Sequence, residues 1–266
     1  MTEPFLKWAG GKRWLANSKQ LPLPSSYERY IEPFLGGAAI FFHLKPSRAI
    51  LSDVNAELIE LYEVIRDNPV ELMDLMKIHH AAHSPEYYYK LRESNPKDGV
   101  DRAARTMYLN RTCWNGLYRV NLSGVFNVPI GTKSTVVFDN DDFLGIADQL
   151  SNAEIRCSDF EPIVGEAREG DFVFVDPPYT VRHNLNGFIK YNENLFSWGD
   201  QVRLRDAVAS AIERGAAVVV TNADHDSVRE LYAGLCDYRS VKRSSVLASE
   251  TTRRGPTSEA LFFANL

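Results

Sequence analysis

The sequence predicts an α/β fold: a largely parallel sheet with helices on both faces. Three observations carry this reading. The run Asp171-Phe172-Val173-Phe174-Val175-Asp176-Pro177-Pro178-Tyr179 is apolar and β-rich, then stops in a carboxylate, two prolines and an aromatic. Being apolar on both faces, it reads as a buried parallel strand. Strand-like and helix-like stretches alternate near both ends of the chain, as in doubly wound sheets. The strands end in glycine turns or single acids, and open α/β sheets bind ligands just past the carboxyl ends of their strands. A length of 266 residues suits one large domain, or a domain with a sizeable insertion.

From the N-terminus, Phe5 to Lys12 sets Gly10-Gly11 between Trp8 and Lys12. The glycine pair permits a tight turn, either a surface turn before a short helix or a loop wrapped on a ligand, with Trp8 and Lys12 as its contacts. Tyr30-Ile31-Glu32-Pro33-Phe34-Leu35-Gly36-Gly37 followed by Ala38 to Phe42 reads as strand, glycine-rich turn and apolar helix. It is not a GxGxxG, but glycines let the backbone approach a ligand. Ala49 to Asp53 is a second strand ending in an acid, the position from which such folds grip ribose hydroxyls. The competing role for the acid is a helix cap, since Leu58, Ile59, Leu61, Tyr62 and Ile65 repeat at helical spacing just after it. Asn55 can serve as that cap while Asp53 serves the ligand.

From about Asn68 to Leu150 the alternation fails. Residues 69–83, 85–94 and 100–113 read as helices, and Tyr87, Tyr88 and Tyr89 as helix packing. His79, His80 and His83 lack a carboxylate or thiolate at metal-ligand spacing, so a helix face is expected there. The stretch from Leu109 to Gly131 holds Asn-Gly and Ser-Gly turn signals between β-type residues, which predicts a hairpin. Arg111, Arg119 and, two residues past its end, Lys133 are interleaved with Trp114, Tyr118 and Phe126. Two readings stay open on local features: a polar hairpin packing its aromatics on the helices, or a nucleic-acid reader, because Arg takes guanine, Asn takes adenine and an aromatic wedges into a base stack.

From Ala153 the alternation resumes, with strands at 153–157 and 171–175 and Asp159 just past the first. Thr180 to Asn194 is polar and reads as a loop over the strand tips. Ser197 with Asp200 forms a capping-box pattern for a helix to about Arg214. An apolar strand at 216–220, a helix at 225–235, a strand at 238–242, a polar loop at 244–258 holding Arg253 and Arg254, and a final strand at 259–264 complete the chain.

Cys113, Cys157 and Cys236 form no CxxC or paired spacing, which fits a reducing compartment and argues against structural zinc. Met1 to Pro4 carries no signal-peptide pattern and no apolar run approaches membrane-spanning length, so a cytoplasmic protein without a membrane partner is expected. The net charge of −5 is a weak argument against nucleic-acid binding, because it does not describe a local groove.

Taken together, six stretches resemble the DNA adenine methylase (Dam) family of S-adenosylmethionine-dependent N6-adenine methyltransferases: Lys7-Trp8-Ala9-Gly10-Gly11-Lys12, Glu32-Pro33-Phe34-Leu35-Gly36-Gly37, Asp53-Val54-Asn55, Asn115-Gly116-Leu117-Tyr118-Arg119-Val120-Asn121, Phe126-Asn127-Val128-Pro129 and Asp176-Pro177-Pro178-Tyr179. They occur in the family's order and cover nearly the whole chain. The one departure is a glycine turn ending Gly-Gly-Ala-Ala. The resemblance implies a Rossmann-like methyltransferase domain (1–67 and 151–266) with an inserted, mainly helical target-recognition domain (68–150) carrying the hairpin. It implies that Trp8, Lys12, Glu32, Phe34, Gly36, Asp53, Asp159 and Asp176 bind S-adenosylmethionine. It places Trp114, Asn115, Leu117, Arg119, Asn127 and Pro129 on double-stranded DNA, with Arg119 reading a guanine, Pro129 or Val128 touching a thymine methyl, and Arg253 and Arg254 on phosphate.

The chemistry expected at Asp176, Pro177, Pro178 and Tyr179 follows from the target. An adenine amino nitrogen is a poor nucleophile, because its lone pair is delocalised into the ring. The Asp176 carboxylate and the Pro177 carbonyl can accept its two protons, the prolines hold that geometry stiff, and Tyr179 offers a face for stacking. A paired adenine cannot reach such a pocket and must be flipped out. Direct methyl transfer by a monomer, without a metal or a covalent enzyme intermediate, is expected, in a GATC site. The alternatives are a different adenine site, or N4-cytosine methylation, which the same strand-tip chemistry serves.

Overall fold

The computed structural model describes residues 3–116, 118–119, 125–182, 196–244 and 256–266. Among these, seven strands form one sheet: β1 (Arg29–Glu32), β2 (Ala49–Asp53), β3 (Ala153–Cys157), β4 (Asp171–Val175), β5 (Ala217–Ala223), β6 (Asp237–Ser244) and β7 (Pro256–Ala264). Their order is β3-β2-β1-β4-β5-β7-β6. β1 is parallel to β2 and β4, and β4 is parallel to β5. β7 lies antiparallel between β5 and β6. The strand order reverses between β1 and β4, so Glu32 and Asp176 stand at the topological switch point, where such sheets bind ligands. This is the α/β sheet read from the alternation, in the Rossmann-like form that the resemblance implies.

Ten helices accompany the sheet among the described residues: α1 (Arg13–Ala16), α2 (Ala39–Leu44), α3 (Ala56–Asp67), α4 (Pro69–Ala82), α5 (Pro85–Glu93), α6 (Gly99–Thr112), α7 (Phe143–Leu150), α8 (Phe160–Gly165), α9 (Trp198–Glu213) and α10 (Asp226–Tyr232). None is long and apolar enough to cross a membrane. The chain packs as two compact units. The first comprises Met1–Lys12, Gly36–Lys45 and Asp53–Cys157; the second comprises Arg13–Leu35, Pro46–Ser52 and Ser158–Leu266.

The first unit is mainly helical, and its helix starts are written in the sequence. Asn55 accepts the Leu58 N–H at the head of α3, Ser84 the Tyr87 N–H of α5, and Asp98 the N–H groups of Val100 and Asp101 in α6. α4 and α5 both open on proline, whose missing N–H costs nothing there. Tyr62, Tyr88, Met76, Met107 and Tyr108 are fully buried. The three histidines read as a helix face are hydrogen-bonded: His79 to the Tyr87 hydroxyl (2.7 Å), His83 to the Tyr108 hydroxyl (2.7 Å), and His80 to the Val137 N–H (3.1 Å).

In the second unit Ile31, Val173, Val175, Val218 and Val220 of the strands bury against Leu204 and Val208 of α9, Val228 and Tyr232 of α10, and Ile163 and Val164 of α8. The Ser197–Asp200 capping box is formed. Several boundaries differ from the sequence reading. β5 runs three residues past Val220, because β7 pairs Thr221 with Leu261, Asn222 with Ala260 and Ala223 with Glu259. β6 and β7 extend into the expected 244–258 loop, since a backbone ladder needs no apolar side chains at its end. α10 stops at Tyr232, with Gly234 at a φ of 74° just beyond.

The expected hairpin begins differently. Trp114–Gly116 is a 3-10 turn, with Asn115 at φ 57° and Gly116 at φ 65°. These left-handed residues turn the chain immediately after α6, and Cys113 forms an antiparallel bridge with Ile130. Leu117, Val120 to Gly124, most of the 180–194 loop, and Arg253 and Arg254 lie outside the described residues.

Candidate functional site

In the first unit the acid at the tip of β2 is tied to the glycine turn. Asp53 Oδ2 accepts the Gly36 N–H (3.0 Å) and Oδ1 the Asn55 N–H (3.0 Å). Burial raises the pKa of the Asp53 carboxyl, outweighing the backbone N–H groups of Gly36, Asn55 and Val54, which lower it. The Tyr62 hydroxyl donates to the Gly36 carbonyl (3.0 Å), closing the turn from beneath. Gly36 has a φ of 47°, and a Cβ there would stand 2.7 Å from Trp8 Cδ1. Only glycine lets Trp8 lie on this turn.

Trp8 in turn stacks on Tyr118, with centroids 5.8 Å apart and planes 17° from parallel. The Tyr118 hydroxyl donates to Glu57, on the first turn of α3. The loop from Trp8 to Lys12 is closed by the Gly11 N–H on the Trp8 carbonyl (3.1 Å), and the buried Lys12 donates its ammonium to the Gly10 carbonyl (2.8 Å). Trp8, Gly36 and Asp53 are thus one connected cluster. Tyr118 belongs to it but was read only as one of the hairpin aromatics.

Asn110 and Arg111, at the end of α6, hold the same N-terminal segment. The Asn110 amide exchanges two hydrogen bonds with the Lys7 backbone (3.1 and 2.8 Å). Arg111 is 3% exposed, pairs with Asp141 (2.6 Å), donates to the carbonyls of Val136 and Phe5, and lies over the Phe138 ring. Both terminal nitrogens of its guanidinium are bonded inside the unit. The reading that grouped Arg111 with Arg119 as a basic reader is corrected: position 111 faces the helix core, whereas Trp114, Asn115, Arg119, Asn127 and Pro129 are exposed. Val128 is buried, and its carbonyl accepts the Tyr88 hydroxyl (2.9 Å). Pro129 points outward while its carbonyl accepts the Trp114 N–H (2.9 Å).

In the second unit, β4 delivers Asp176 to the end of a fully buried strand. Asp176 Oδ1 accepts the Thr221 hydroxyl (2.6 Å). The Pro178 carbonyl accepts the Gln201 amide (3.2 Å), and Gln201 Oε1 accepts the Asn222 amide (3.0 Å). The Tyr179 hydroxyl donates to Glu259 Oε2 (2.8 Å). Burial, then the Asp176 and Glu259 carboxylates, push the Tyr179 pKa well above its ordinary value. At the tip of β1, Glu32 is buried and accepts the Tyr30 hydroxyl (2.9 Å). Phe34 stacks on Phe160 (5.4 Å, 24°) and meets Phe196 edge-on. Asp159 caps α8 by accepting the Glu161 N–H (2.9 Å) and pairs with Arg203 (3.0 Å), whose guanidinium lies over Phe160.

Thr221, Asn222, Gln201, Glu259 and Arg203 were not singled out as site residues. Thr221-Asn222 carried a signal as a polar pair ending an apolar strand, and Glu259 as an acid opening one. Gln201 and Arg203, inside a polar helix, carried none.

A family model described as D12 class N6 adenine-specific DNA methyltransferase matches residues 8–247. The chain is 39% identical over 268 residues to the type II methyltransferase M1.LlaDCHI of Lactococcus lactis subsp. cremoris, covering 97% of this chain and 94% of that protein. It is 35% identical to the type II methyltransferase M.MjaIII of Methanocaldococcus jannaschii, covering 87% and 88%. It is 33% identical to the DNA adenine methylase of Escherichia coli (strain K12), covering 86% and 83%.

Proposed function

Since this chain belongs to the D12 class N6 adenine-specific DNA methyltransferases, we propose that it uses S-adenosylmethionine to methylate an adenine flipped out of double-stranded DNA, in GATC, working as a single chain. The observation that carries the reading is Asp176, held at the switch point of the sheet with the Pro178 carbonyl and the Tyr179 ring fixed beside it in the chain.

The residues present fit the cofactor. A glycine turn at positive φ gives close backbone approach, an aromatic lies on that turn, and a buried carboxylate sits at the tip of β2. In the first unit Trp8, Lys12, Gly36 and Asp53 would hold it; in the second unit Glu32, Phe34, Asp159 and Asp176 are the residues the resemblance assigns to it. When bound, it supplies an electrophilic methyl group. The rest is done by the chain. Asp176 accepts a hydrogen bond from one N6 hydrogen of the target and the Pro177 carbonyl accepts one from the other, which turns the nitrogen lone pair toward the methyl. Tyr179 stacks on the base. Residues 68–150 are the DNA-reading part: Arg119 takes a guanine, Trp114 or Asn115 fills the gap left by the flipped base, Leu117 and Asn127 also contact DNA, and Pro129 meets a thymine methyl.

Incubation with methyl-labelled S-adenosylmethionine and duplexes that carry GATC, or GATC with one base changed, tests this. N6-methyladenine confined to the GATC duplex is expected. Equal labelling of all duplexes overturns the site, and N4-methylcytosine as the product overturns the base.

A further inference from the structure

We infer that Glu259 is a positioning residue for the methyl-transfer reaction: a buried carboxylate on β7 that fixes the Tyr179 ring through the Tyr179 hydroxyl. This rests on the reading of Tyr179 as the platform for the target base.

The register of the sheet makes the assignment. In an antiparallel ladder, directly opposed residues project from the same face, and so do residues two apart along a strand. Glu259 is paired with Ala223 and Leu261 with Thr221, so Thr221 and Glu259 project from one face of the β5–β7 ladder. From that face Thr221 donates to Asp176 and Glu259 accepts from Tyr179. Asn222 projects from the opposite face and reaches the Pro178 carbonyl through Gln201. Asp176, Pro178 and Tyr179 are therefore held from both faces by side chains of the next strands and of α9.

A buried acid is a costly way to hold a phenol. Glu259 is 4% exposed, and a buried carboxylate is retained at a strand only where its hydrogen bonds offset its desolvation. A phenol hydrogen bond to a carboxylate is shorter and stronger than one to a neutral acceptor. A tyrosine side chain can swing about its Cα–Cβ bond; anchoring the hydroxyl at the far end fixes where the ring points, and because a phenol O–H prefers to lie in the ring plane the bond also biases the plane on which a base would stack. Preset geometry raises the rate of the chemical step rather than the affinity for substrate.

The test compares Tyr179→Phe, which removes only the hydroxyl, with Glu259→Gln, Glu259→Ala, the Tyr179→Phe/Glu259→Ala double variant and Tyr179→Ala. Single-turnover methyl transfer, DNA affinity and far-UV circular dichroism are measured for each. Tyr179→Phe and Glu259→Ala are expected to slow transfer by roughly tenfold to a hundredfold, with DNA affinity little changed. The double variant should be no slower than the slower single one, and Glu259→Gln, which keeps an acceptor, should recover much of the rate. Losses that multiply in the double variant, or a Tyr179→Phe enzyme at the wild-type rate, overturn the inference even if Glu259→Ala fails to fold. If Tyr179→Ala itself transfers methyl at the wild-type rate, the reading of Tyr179 as base platform falls instead.

Discussion

At the scale of single residues, side chains within a few positions of each other have opposite fates. Asn110 and Arg111 lie near the end of a helix with their side chains buried and bonded inside the fold, and Trp114 and Asn115, three to five residues on, are exposed. Replacing Arg111 with alanine would strand Asp141, which is 6% exposed at its side chain. Losing one member of such a buried pair costs about 3–5 kcal/mol, so Arg111→Ala is expected to lower the urea midpoint sharply. Arg119→Ala should leave that midpoint in place and relax discrimination at one base pair by about 1–3 kcal/mol, measured as the ratio of kcat/KM between GATC and a duplex changed at that pair. Gly36→Ala meets two obstacles at once, a left-handed backbone and Trp8 Cδ1 at 2.7 Å. It should weaken cofactor binding in calorimetry while leaving DNA affinity in the absence of cofactor intact.

Asp53 adds a pH dependence of known sign. Its folded-state pKa is raised, because burial disfavours the carboxylate. The desolvation penalty is present above the folded pKa and is relieved as pH falls through it, so this group stabilises the fold toward acid. The ligand role proposed for it needs the charged form. Cofactor affinity should therefore decline on acidification at a higher pH than an ordinary carboxylate would dictate, and Asp53→Asn should flatten that profile in calorimetry.

At the scale of elements, α9 illustrates how a helix is started and then used. Its capping box satisfies the first N–H groups, and Gln201, one position past the box, reaches the Pro178 carbonyl. Ser197→Ala should cost about 1 kcal/mol in a urea titration. The α4–α5–α6 cluster has its own acid sensitivity. Burial lowers the pKa of His79 and His83, so each is kept neutral when folded. The unfolded chain then binds more protons, and stability is lost as pH drops below the ordinary histidine value of about 6.5. Hydrogen exchange of α4 amides should accelerate in that window, and His79→Gln should reduce the effect.

At the scale of the whole molecule, the second unit is drawn from three separate stretches of chain. β4 pairs with β1, from the first of them, along Arg29–Asp171, Tyr30–Phe172 and Ile31–Val173. A fragment of residues 158–266 would leave one edge of an apolar strand unpaired, and it should aggregate or show little β signal by circular dichroism.

The local code determined much of this by itself. The buried strand ending at Asp176, the acid at the tip of β2, the capped helices and the Ser197–Asp200 box all follow from neighbours a few residues apart, where propensity, proline geometry and hydrogen bonding act directly. The six ordered motifs carried the family before any coordinates, because each is a contiguous stretch. What only the tertiary structure decided concerns groups far apart in the chain. Arg111 turned inward because Asp141, thirty residues on, waits in a dry site; Tyr118 settled on Trp8; and β5 ran on through Thr221 because β7 supplied a partner for its backbone. Glu259 lies eighty residues from the hydroxyl it holds. Periodicity cannot announce such a pair, since the energy that makes it comes from burial shared between strands, and burial is a property of the folded sheet.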